Sequence, residues 1–397
     1  MPKTIFTKSS FFGKKPLALL LLISFVFVVI LFREYIRTVY PHLVTPLLYY
    51  FMPMSMGVLF TLLLTPIFIF TAHKINAVDR KNFDLAIDKS PTALLGGLAV
   101  YLAFLIVLLC FRPWTYQMLG IVIGASLLMI VGVIDDIKPL SSTYRLAVQI
   151  SASFIVMFSG LIVSFMPKTV WGNALAVIFT LIWILGIVNA LNFADGMDGL
   201  ATGITIIASI IFFLITLHLE QYPVTMMCAV LIGCGIGFLF FNFKKASIYL
   251  GDAGSTFLGF CLACFALYGG WSSRGAIIAI GIPILILGVL IFDMIYITIS
   301  RIKNGKVRTF RQWLDYTGHD HFHHRLVNLG FKEEHAVWFI YITCIILGLS
   351  ALVLENARVS YPVVVLVFQA GLIFINITIL MLVGRKITYV KDAQRNQ

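Results

Sequence analysis

Carboxylate and amide side chains recur at every third position of one short segment, NALNFADGMDGL. Residues three apart on a helix share one face, and the glycine after each acid would break the helix and let a ligand approach the backbone. Helix capping by Asn and Asp explains one or two such residues, but not four. The segment therefore indicates a polar binding site, made by Asn189, Asn192, Asp195 and Asp198.

Two further acidic segments have the chemistry of a magnesium and phosphate site. Asp135 and Asp136 are adjacent in GVIDDIKPL, where two carboxylates at a membrane edge are costly without a nearby cation. Asp252 follows Gly251 in GDAGS, at a predicted helix start whose free N–H groups can bind an anion. Carboxylate oxygens are the ligands that Mg²⁺ prefers. Solvation of a helix end and an N-cap on a tight turn are the competing explanations.

Four histidines fall within six positions of the segment HDHFHHRL. Zinc is the obvious ligand for such a cluster, but no cysteine is near and the acidic segments suit a harder cation. Histidine beside arginine favours phosphate binding instead. The residues concerned are His319, His321, His323, His324 and Arg325.

Membrane-spanning helices are expected to hold these side chains in position. Hydrophobic residues make up 60% of the 397 and charged residues only 12%, against roughly 25% charged in a soluble domain. Lipid requires every backbone polar group to be paired internally, and the apolar runs are long and continuous, so the expected fold is an all-α polytopic membrane protein. Twelve spans are expected, at about 16–33, 54–72, 95–112, 117–134, 144–165, 173–190, 200–217, 223–241, 254–270, 275–299, 336–354 and 361–383.

Basic residues are unevenly divided between the two faces that twelve spans define. The termini and the loops that carry the motifs hold 23 of the 29 Lys and Arg residues. Because positive loops face inward, this face and both termini are expected in the cytoplasm. The net charge of +12 reflects these loops more simply than nucleic-acid binding, so no nucleic-acid partner is expected.

Asp293 is an acid inside an apolar span, about two turns from its cytoplasmic end. Such an acid indicates either a functional site or a structural hydrogen bond to a neighbouring helix. A secondary transporter would explain Asp293 and twelve spans, but it predicts inverted repeats and polar residues near the midplane, and the sequence has neither. An aromatic prenyltransferase would explain membrane acids, but it predicts a second DDxxD-like motif, which is missing.

Four motifs together resemble those of the polyprenyl-phosphate N-acetylhexosamine-1-phosphate transferases. They are IDD at 134–136, NxxNxxDGxDGL at 189–200, GDAGS at 251–255 and HFHHR at 321–325, in the family's order and on one predicted face. The resemblance covers about residues 54–385. Residues 1–53 are an N-terminal tail with an additional span, and residues 386–397 are a cytoplasmic tail.

The resemblance implies a reaction at the bacterial inner membrane. Undecaprenyl phosphate would attack the β-phosphorus of a UDP-N-acetylhexosamine, with UDP-GlcNAc as the first choice, and UMP would leave. Mg²⁺ would be required, with Mn²⁺ as the alternative. The product would start a lipid-linked cell-surface glycan, as in lipopolysaccharide or cell-wall synthesis. The alternative within the family is the phospho-MurNAc-pentapeptide transferase of peptidoglycan synthesis, whose TPTMGG-like and triple-histidine patterns are absent here.

The resemblance also implies roles for individual residues. Asp252 would be the main metal ligand, with Asp136 and Asp195 as further ligands. Asp135 and Asp136 would orient or deprotonate the lipid phosphate, as general base or as nucleophile. The histidine motif would supply three catalytic groups, His323, His324 and Arg325. The implied substrate-binding residues are Lys89, Asn189, Asn192, Asp195, Asp198, Asn242, Tyr249, Gly251 and His321.

Two of these roles concern the uridine, because Tyr249 matches a position that stacks on uracil and Asn242 an amide beside it. The first cytoplasmic loop departs from the family, since Asp79 is not followed by x-Pro and Asp88 stands at a histidine position. This departure weakens the role of Lys89. Whether the chain forms a homodimer stays open.

Overall fold

The computed structural model describes residues 46–79, 91–112, 114–268, 276–309, 312–313, 316, 318, 320–356 and 360–395. The chain divides into two compact units, Met1–Met52 and Pro53–Gln397. The predicted span 16–33 lies outside the described residues, as do Lys89 and His319.

Thirteen α-helices account for most of the described residues. Among the described residues, one antiparallel pair of two-residue strands, β1 (Val78–Asp79) and β2 (Thr92–Ala93), lies between α1 and α2. The helices are α1 Pro46–Ile75, α2 Gly96–Phe111, α3 Tyr116–Ile137, α4 Ser142–Phe158, α5 Val170–Ala194, α6 Leu200–His218, α7 Tyr222–Asn242, α8 Gly251–Tyr268, α9 Ala276–Ile286, α10 Gly288–Lys303, α11 Phe322–Asn328, α12 Glu333–Asn356 and α13 Ser360–Arg395.

The expectation of an all-α polytopic membrane protein is confirmed. Within the described ranges, eight helices are long and apolar enough to cross a membrane, and α9 with α10 make a ninth if the bent pair is one span. Each predicted span from 54–72 onward coincides with a helix or with that pair. Helix α2 is apolar but has only 16 residues.

Two predicted spans differ in detail from the structure. The span expected at 275–299 is broken at Leu287, where α9 and α10 meet at 83°. Pro283 lies one turn before the break and has no N–H to donate to the helix, which weakens it there. The span expected at 144–165 ends at Phe158, because Gly160 turns the chain with a φ of +94°.

Helix α8 packs against α3, α5 and α2, and its first residues include the GDAGS segment. Glycines make the approach of α2 unusually close, since a Cβ on Gly97 would lie 2.2 Å from the Cα of Gly254. The Gly96 and Gly97 N–H groups donate to the carbonyls of Tyr249 (3.1 Å) and Leu250 (2.8 Å). The start of α2 thus holds the chain directly before Asp252.

Candidate active site

Four helix ends meet at one polar cluster. Asp135 is near the end of α3, Arg145 is in the first turn of α4, Asn192 is near the end of α5, and Asp252 is at the start of α8. Antiparallel neighbours in a bundle place the end of one helix beside the start of the next, so residues far apart in sequence share one edge. The predicted acidic sites are therefore brought together.

Asp252 presents a half-exposed carboxylate that two other side chains hold in place. Its Oδ1 accepts a hydrogen bond from Asn192 Nδ2 (3.0 Å), and its Oδ2 accepts one from Arg145 Nη1 (3.0 Å). Asn192 Nδ2 also contacts the hydroxyl of Ser255, one turn along α8, at 2.8 Å. The carboxylate is thus oriented without being enclosed, which suits a ligand for a cation or a substrate.

Asp135 and Asp136 have different surroundings, although they are adjacent. Asp135 is buried, and its Oδ1 accepts from the Leu140 N–H (2.6 Å) while its Oδ2 accepts from Arg145 Nη1 (3.3 Å). Asp136 turns instead to the start of α8, where its Oδ1 and Oδ2 accept from the N–H groups of Asp252 (2.8 Å) and Ala253 (3.3 Å). Asp136 therefore caps α8 from a neighbouring helix.

The cap leaves no room for a side chain at Gly251. The residue has a φ of +75°, a conformation that favours glycine. A Cβ there would lie 2.6 Å from both Asp136 Oδ2 and the carbonyl oxygen of Leu94. The backbone conformation and the lack of space therefore both explain why position 251 is occupied by glycine.

The segment with three-residue spacing serves more than one purpose. Asn189 donates to Gln149 Oε1 on α4 (2.9 Å) and to the Leu185 carbonyl, and so joins two helices beside the acids. Asp198 accepts from the Ala246 N–H (2.9 Å) and so holds the loop before α8. Burial, together with the charges of Asp252 and Asp198, raises the pKa of the Asp195 carboxyl to about 8. The ionised form of Asp195 is therefore disfavoured, and a nearby cation would stabilise it.

Of the two residues predicted to contact uridine, Asn242 is the last residue of α7 and Tyr249 lies on the loop between α7 and α8. Asn242 is buried, where its Oδ1 accepts from the Thr202 hydroxyl (3.0 Å) and its Nδ2 donates to the Ile248 carbonyl (3.0 Å). Both ends of its amide thus brace the loop. Tyr249 is part-exposed, and its backbone N–H donates to the Ala93 carbonyl (2.8 Å).

The histidine segment is anchored through His321 and the intramembrane acid Asp293. His321 Nδ1 lies 2.9 Å from Asp293 Oδ2, and the Phe322 N–H donates to Asp293 Oδ1 (2.9 Å). Arg301 Nη2 lies 3.3 Å from His321 Nε2. Because arginine can only donate, Nε2 is the acceptor and Nδ1 carries the proton. His321 is therefore buried with both ring nitrogens engaged, and Asp293 caps α11.

Arg301 also makes a buried, two-point ion pair. Its Nε and Nη2 donate to Asp320 Oδ2 (3.1 Å) and Oδ1 (2.6 Å), and its guanidinium lies 4.5 Å from the centre of the Tyr316 ring. Burial alone would raise the pKa of Asp320, but the hydrogen bonds and charge of Arg301 outweigh it and hold that pKa below its ordinary value. The carboxylate at the head of the histidine segment is thus kept ionised.

His323 connects the histidine segment to the acidic one. A Cβ on Gly196 would lie 2.4 Å from His323 Nε2, so the ring packs directly against the glycine after Asp195. The rings of His323 and His324 have centres 4.2 Å apart, and Arg325 follows on the same short helix. The structure therefore brings these three residues to the edge where the acids lie.

Several residues of this site were not identified from the sequence. Arg145 and Gln149 are a charged and an amide residue one turn apart in a predicted membrane span, and that signal could have marked them as facing the polar site. Arg301 and Asp320 had no such signal, since the sequence predicts a long, mixed-charge loop there, whereas Arg301 lies in the last turn of α10. Lys89 lies outside the described residues.

The donor atoms fit a hard cation held partly by substrate. Within the described part of the chain, no group of three or more His, Cys, Asp or Glu side chains is arranged to hold a metal ion. Two carboxylates, from Asp135 and Asp252, nevertheless converge on a single positive nitrogen of Arg145. Mg²⁺ is commonly bound by one or two carboxylates, with waters and phosphate oxygens completing its coordination.

These helices and this edge site define a polytopic membrane enzyme with carboxylates, amides and a histidine–arginine segment at one end of its spans. The family model for glycosyl transferase family 4 matches residues 118–270, which include Asp135, Asn192 and Asp252. The chain belongs to this family.

Curated relatives are named as transferases of phosphorylated sugars, and two of the three names below include a polyprenyl phosphate. A Bacillus subtilis (strain 168) protein is 33% identical over 76% of this chain and 84% of its own length; its name is "Probable undecaprenyl-phosphate N-acetylglucosaminyl 1-phosphate transferase". A decaprenyl-phosphate N-acetylglucosaminephosphotransferase of Mycolicibacterium smegmatis is 26% identical over 66% of this chain and 71% of its own. A phospho-N-acetylmuramoyl-pentapeptide-transferase of Lacticaseibacillus paracasei is 30% identical over 66% of this chain and 82% of its own length.

Proposed function

We propose that this protein transfers N-acetylglucosamine-1-phosphate from UDP-GlcNAc to undecaprenyl phosphate and releases UMP. The product is a lipid-linked diphosphate sugar, the first intermediate of a cell-surface glycan. The Bacillus subtilis relative supports this choice of donor and acceptor, since its similarity extends over 84% of its own length. The observation that carries the proposal is the oriented, half-exposed Asp252 carboxylate beside Asp135 and Arg145.

The reaction exchanges one phosphorus–oxygen bond for another. An oxygen of the acceptor phosphate forms a bond to the β-phosphorus of the UDP-sugar, while the bond from that phosphorus to the bridging oxygen breaks. The bridging oxygen leaves on UMP with its electron pair. Catalysis of such a step is mostly positioning and charge neutralisation, and both require cations and fixed carboxylates at one edge.

Magnesium is the proposed cofactor, with Mn²⁺ as a substitute. Bound there, the ion would neutralise the phosphate oxygens and orient the diphosphate. Asp252 is the proposed main ligand, because its carboxylate is accessible and oriented by Asn192. Asp195 is proposed to lie near the ion, in keeping with its raised pKa. Asp136 contributes indirectly, because both its oxygens accept N–H groups of α8.

Asp135 is the proposed partner of the acceptor phosphate. It lines a pocket that continues past Leu128 and Val131 on α3 to Leu146 on α4, a lining that suits the start of a lipid chain. Asp135, rather than Asp136, is therefore proposed to hold or remove a proton from the acceptor phosphate. His323, His324 and Arg325 are proposed to bind the donor phosphates or sugar, in keeping with the packing of His323 against Gly196, next to Asp195.

The site is proposed to face the cytoplasm of the bacterial cell, where UDP-sugars are made. Both termini would share that side, in keeping with the excess of Lys and Arg there. Residues 54–385 are the proposed transferase domain, and 1–53 an additional N-terminal segment. A reporter that is active only in the periplasm, fused within 319–325, would remain inactive; an active reporter would contradict this orientation.

One assay tests the function directly. Membranes containing the protein are incubated with undecaprenyl phosphate, Mg²⁺ and radiolabelled UDP-GlcNAc, and UMP and labelled lipid are measured. Both are expected, and both are lost in Asp252→Ala. A labelled lipid from UDP-MurNAc-pentapeptide alone would assign the peptidoglycan reaction of the Lacticaseibacillus relative instead. Failure with every UDP-hexosamine, in a folded protein, would refute the proposal.

A further inference from the structure

Arg145 places one guanidinium nitrogen between carboxylates of two different helices. Its Nη1 lies 3.3 Å from Asp135 Oδ2 and 3.0 Å from Asp252 Oδ2. These two acids are 117 positions apart in the chain, and Arg145 lies 10 after the first and 107 before the second. The bundle therefore delivers two negative groups and one positive group to a single point.

The contact balances charge that would otherwise oppose folding of this edge. Two carboxylates that share a site repel one another unless a cation lies between them. Arg145 supplies that cation from α4, and its side chain is 40% exposed, against 6% for Asp135 and 46% for Asp252. A cation of this kind is held loosely, since pairs with this much exposure to water contribute little each.

A divalent cation would need the same place. A Mg²⁺ ion held by Asp252 would use its carboxylate oxygens, and Arg145 Nη1 already lies 3.0 Å from Asp252 Oδ2. Two cations cannot share the point without strong repulsion, so one must leave. Arg145 can withdraw without leaving the site, because it lines the same open pocket as Ser142, Gln149 and Trp313.

We propose that Arg145 is a resident counterion, which holds Asp135 and Asp252 together until a divalent cation displaces it. The proposal rests on the metal site of the proposed function, but it concerns the binding of the cation and not the transfer reaction. Arg145 sets how much metal is needed to load the enzyme. Without it, Asp252 binds the ion free of competition.

A purely structural role for Arg145 predicts the opposite sign. If the guanidinium were needed to keep the two carboxylates in position for the metal, its removal would weaken metal binding. If it competes with the metal, its removal strengthens metal binding and at the same time destabilises the metal-free protein. The direction of one measured affinity therefore separates the two roles.

The test uses Mn²⁺ as the probe, because free Mn²⁺ can be counted by electron paramagnetic resonance and carboxylates bind it well. Full-length wild type, Arg145→Gln, Arg145→Lys and Lys138→Gln are purified in detergent and titrated with Mn²⁺. Lys138 is the matched control, because it is an exposed residue two positions beyond Asp136 and its substitution removes the same unit charge from the same edge.

Arg145→Gln is expected to bind Mn²⁺ about fivefold more tightly than wild type, as expected for the loss of a partly exposed ion-pair partner. Arg145→Lys should remain within about twofold of wild type, and Lys138→Gln likewise. Without metal, the unfolding midpoint of Arg145→Gln should fall below that of wild type, and saturating Mn²⁺ should restore it. Unchanged or weaker Mn²⁺ binding by Arg145→Gln overturns the proposal, as does an equal tightening in Lys138→Gln.

The counterion role of Arg145 and the proposed transfer reaction can be refuted independently. A wild type that transfers the sugar phosphate, while Arg145→Gln shows no tightening, refutes only the counterion. A wild type that transfers no sugar phosphate, while Arg145→Gln tightens Mn²⁺ binding, refutes only the reaction. A wild type that binds no Mn²⁺ at all overturns the counterion, because then nothing displaces it.

Discussion

The acidic cluster and the histidine segment both place ion pairs at the same edge, but they do so in opposite ways. At the acidic cluster, the side chains of Arg145 and Asp252 are 40% and 46% exposed, and their contacts are single hydrogen bonds. At the histidine segment, Arg301 is 2% exposed and Asp320 12%, and two hydrogen bonds join them. The Arg145–Asp252 pair can separate to admit a ligand, whereas the Arg301–Asp320 pair holds the backbone of the histidine segment in place.

Charge thus serves two purposes within one site. Exposed pairs are weak and exchangeable, whereas breaking a buried pair leaves an uncompensated charge. Asp293 extends the rigid region by capping α11 and by selecting the tautomer of His321. The histidine segment is therefore preorganised, and the acidic cluster is the part that responds to ligand.

Substitution in the acidic cluster should reduce transfer activity the most. Asp252→Asn keeps the hydrogen bond from Asn192 within reach but removes the charge that a cation needs. Transfer should fall about a thousandfold, which corresponds to about 4 kcal/mol of transition-state stabilisation. Initial rates of UMP release measure this effect. Glu220→Gln, in the exposed loop between α6 and α7, is the control. An equal loss there, or activity of Asp252→Asn near that of wild type, would remove Asp252 from the chemistry.

The next largest effect should follow from breaking the buried Arg301–Asp320 ion pair. Asp320→Asn leaves the Arg301 charge buried without its partner, and should cost about 3 kcal/mol of stability, measured by unfolding in detergent. The double variant Arg301→Met/Asp320→Asn removes the stranded charge and should recover part of that loss. If the double variant is no more stable than Asp320→Asn, the Arg301–Asp320 ion pair does not anchor the histidine segment.

A smaller effect is expected at the turn that joins the two acids to α8. Gly251→Ala forces a side chain into a φ of +75° and against Asp136, at a cost of about 1–3 kcal/mol. The loss should appear both in the unfolding midpoint and in Mn²⁺ affinity, since α8 carries Asp252. Gly371→Ala, in α13 and with open space around its Cβ, is the matched control and should lower neither the unfolding midpoint nor the Mn²⁺ affinity. A tolerated Gly251→Ala would contradict the role of Asp136 as a cap.

The smallest effect should come from an exposed pair with no ligand to bind. Lys244 Nζ lies 3.2 Å from Glu334 Oε1, with both side chains largely exposed. Lys244→Ala should change stability by no more than about 0.5 kcal/mol and leave transfer unaffected. A larger change in the unfolding midpoint would show that exposure does not by itself mark the weak pairs in this protein.

The sequence predicted the class of fold and the edge at which the site lies, because both follow from patterns within single segments. Long apolar runs predict helices, and the four motifs each keep their residues within a few positions. The bend at Leu287 was missed, because Pro283 within an apolar run does not by itself distinguish a kink from a break.

The contacts between segments could not be predicted in the same way. Nothing within the Asp135-Asp136 dipeptide tells which acid faces a pocket and which caps another helix, because that depends on the rotation of α3 against α8. Asp293 was recognised as unusual, yet nothing in the sequence identified its partners, which are His321 and the first N–H group of α11. Pairings across the bundle are set by packing, which one sequence does not record.

The contact between Gly97 and Gly254 has a consequence for genetics. Neither residue carries a group that could take part in the reaction, and the space between α2 and α8 has no room for even a methyl group. Every missense change in a glycine codon adds at least a methyl group. A screen for alleles that abolish glycan synthesis should therefore recover substitutions at Gly97 and Gly254 alongside those at Asp252. Judged by allele frequency alone, two chemically inert positions would be mistaken for catalytic ones.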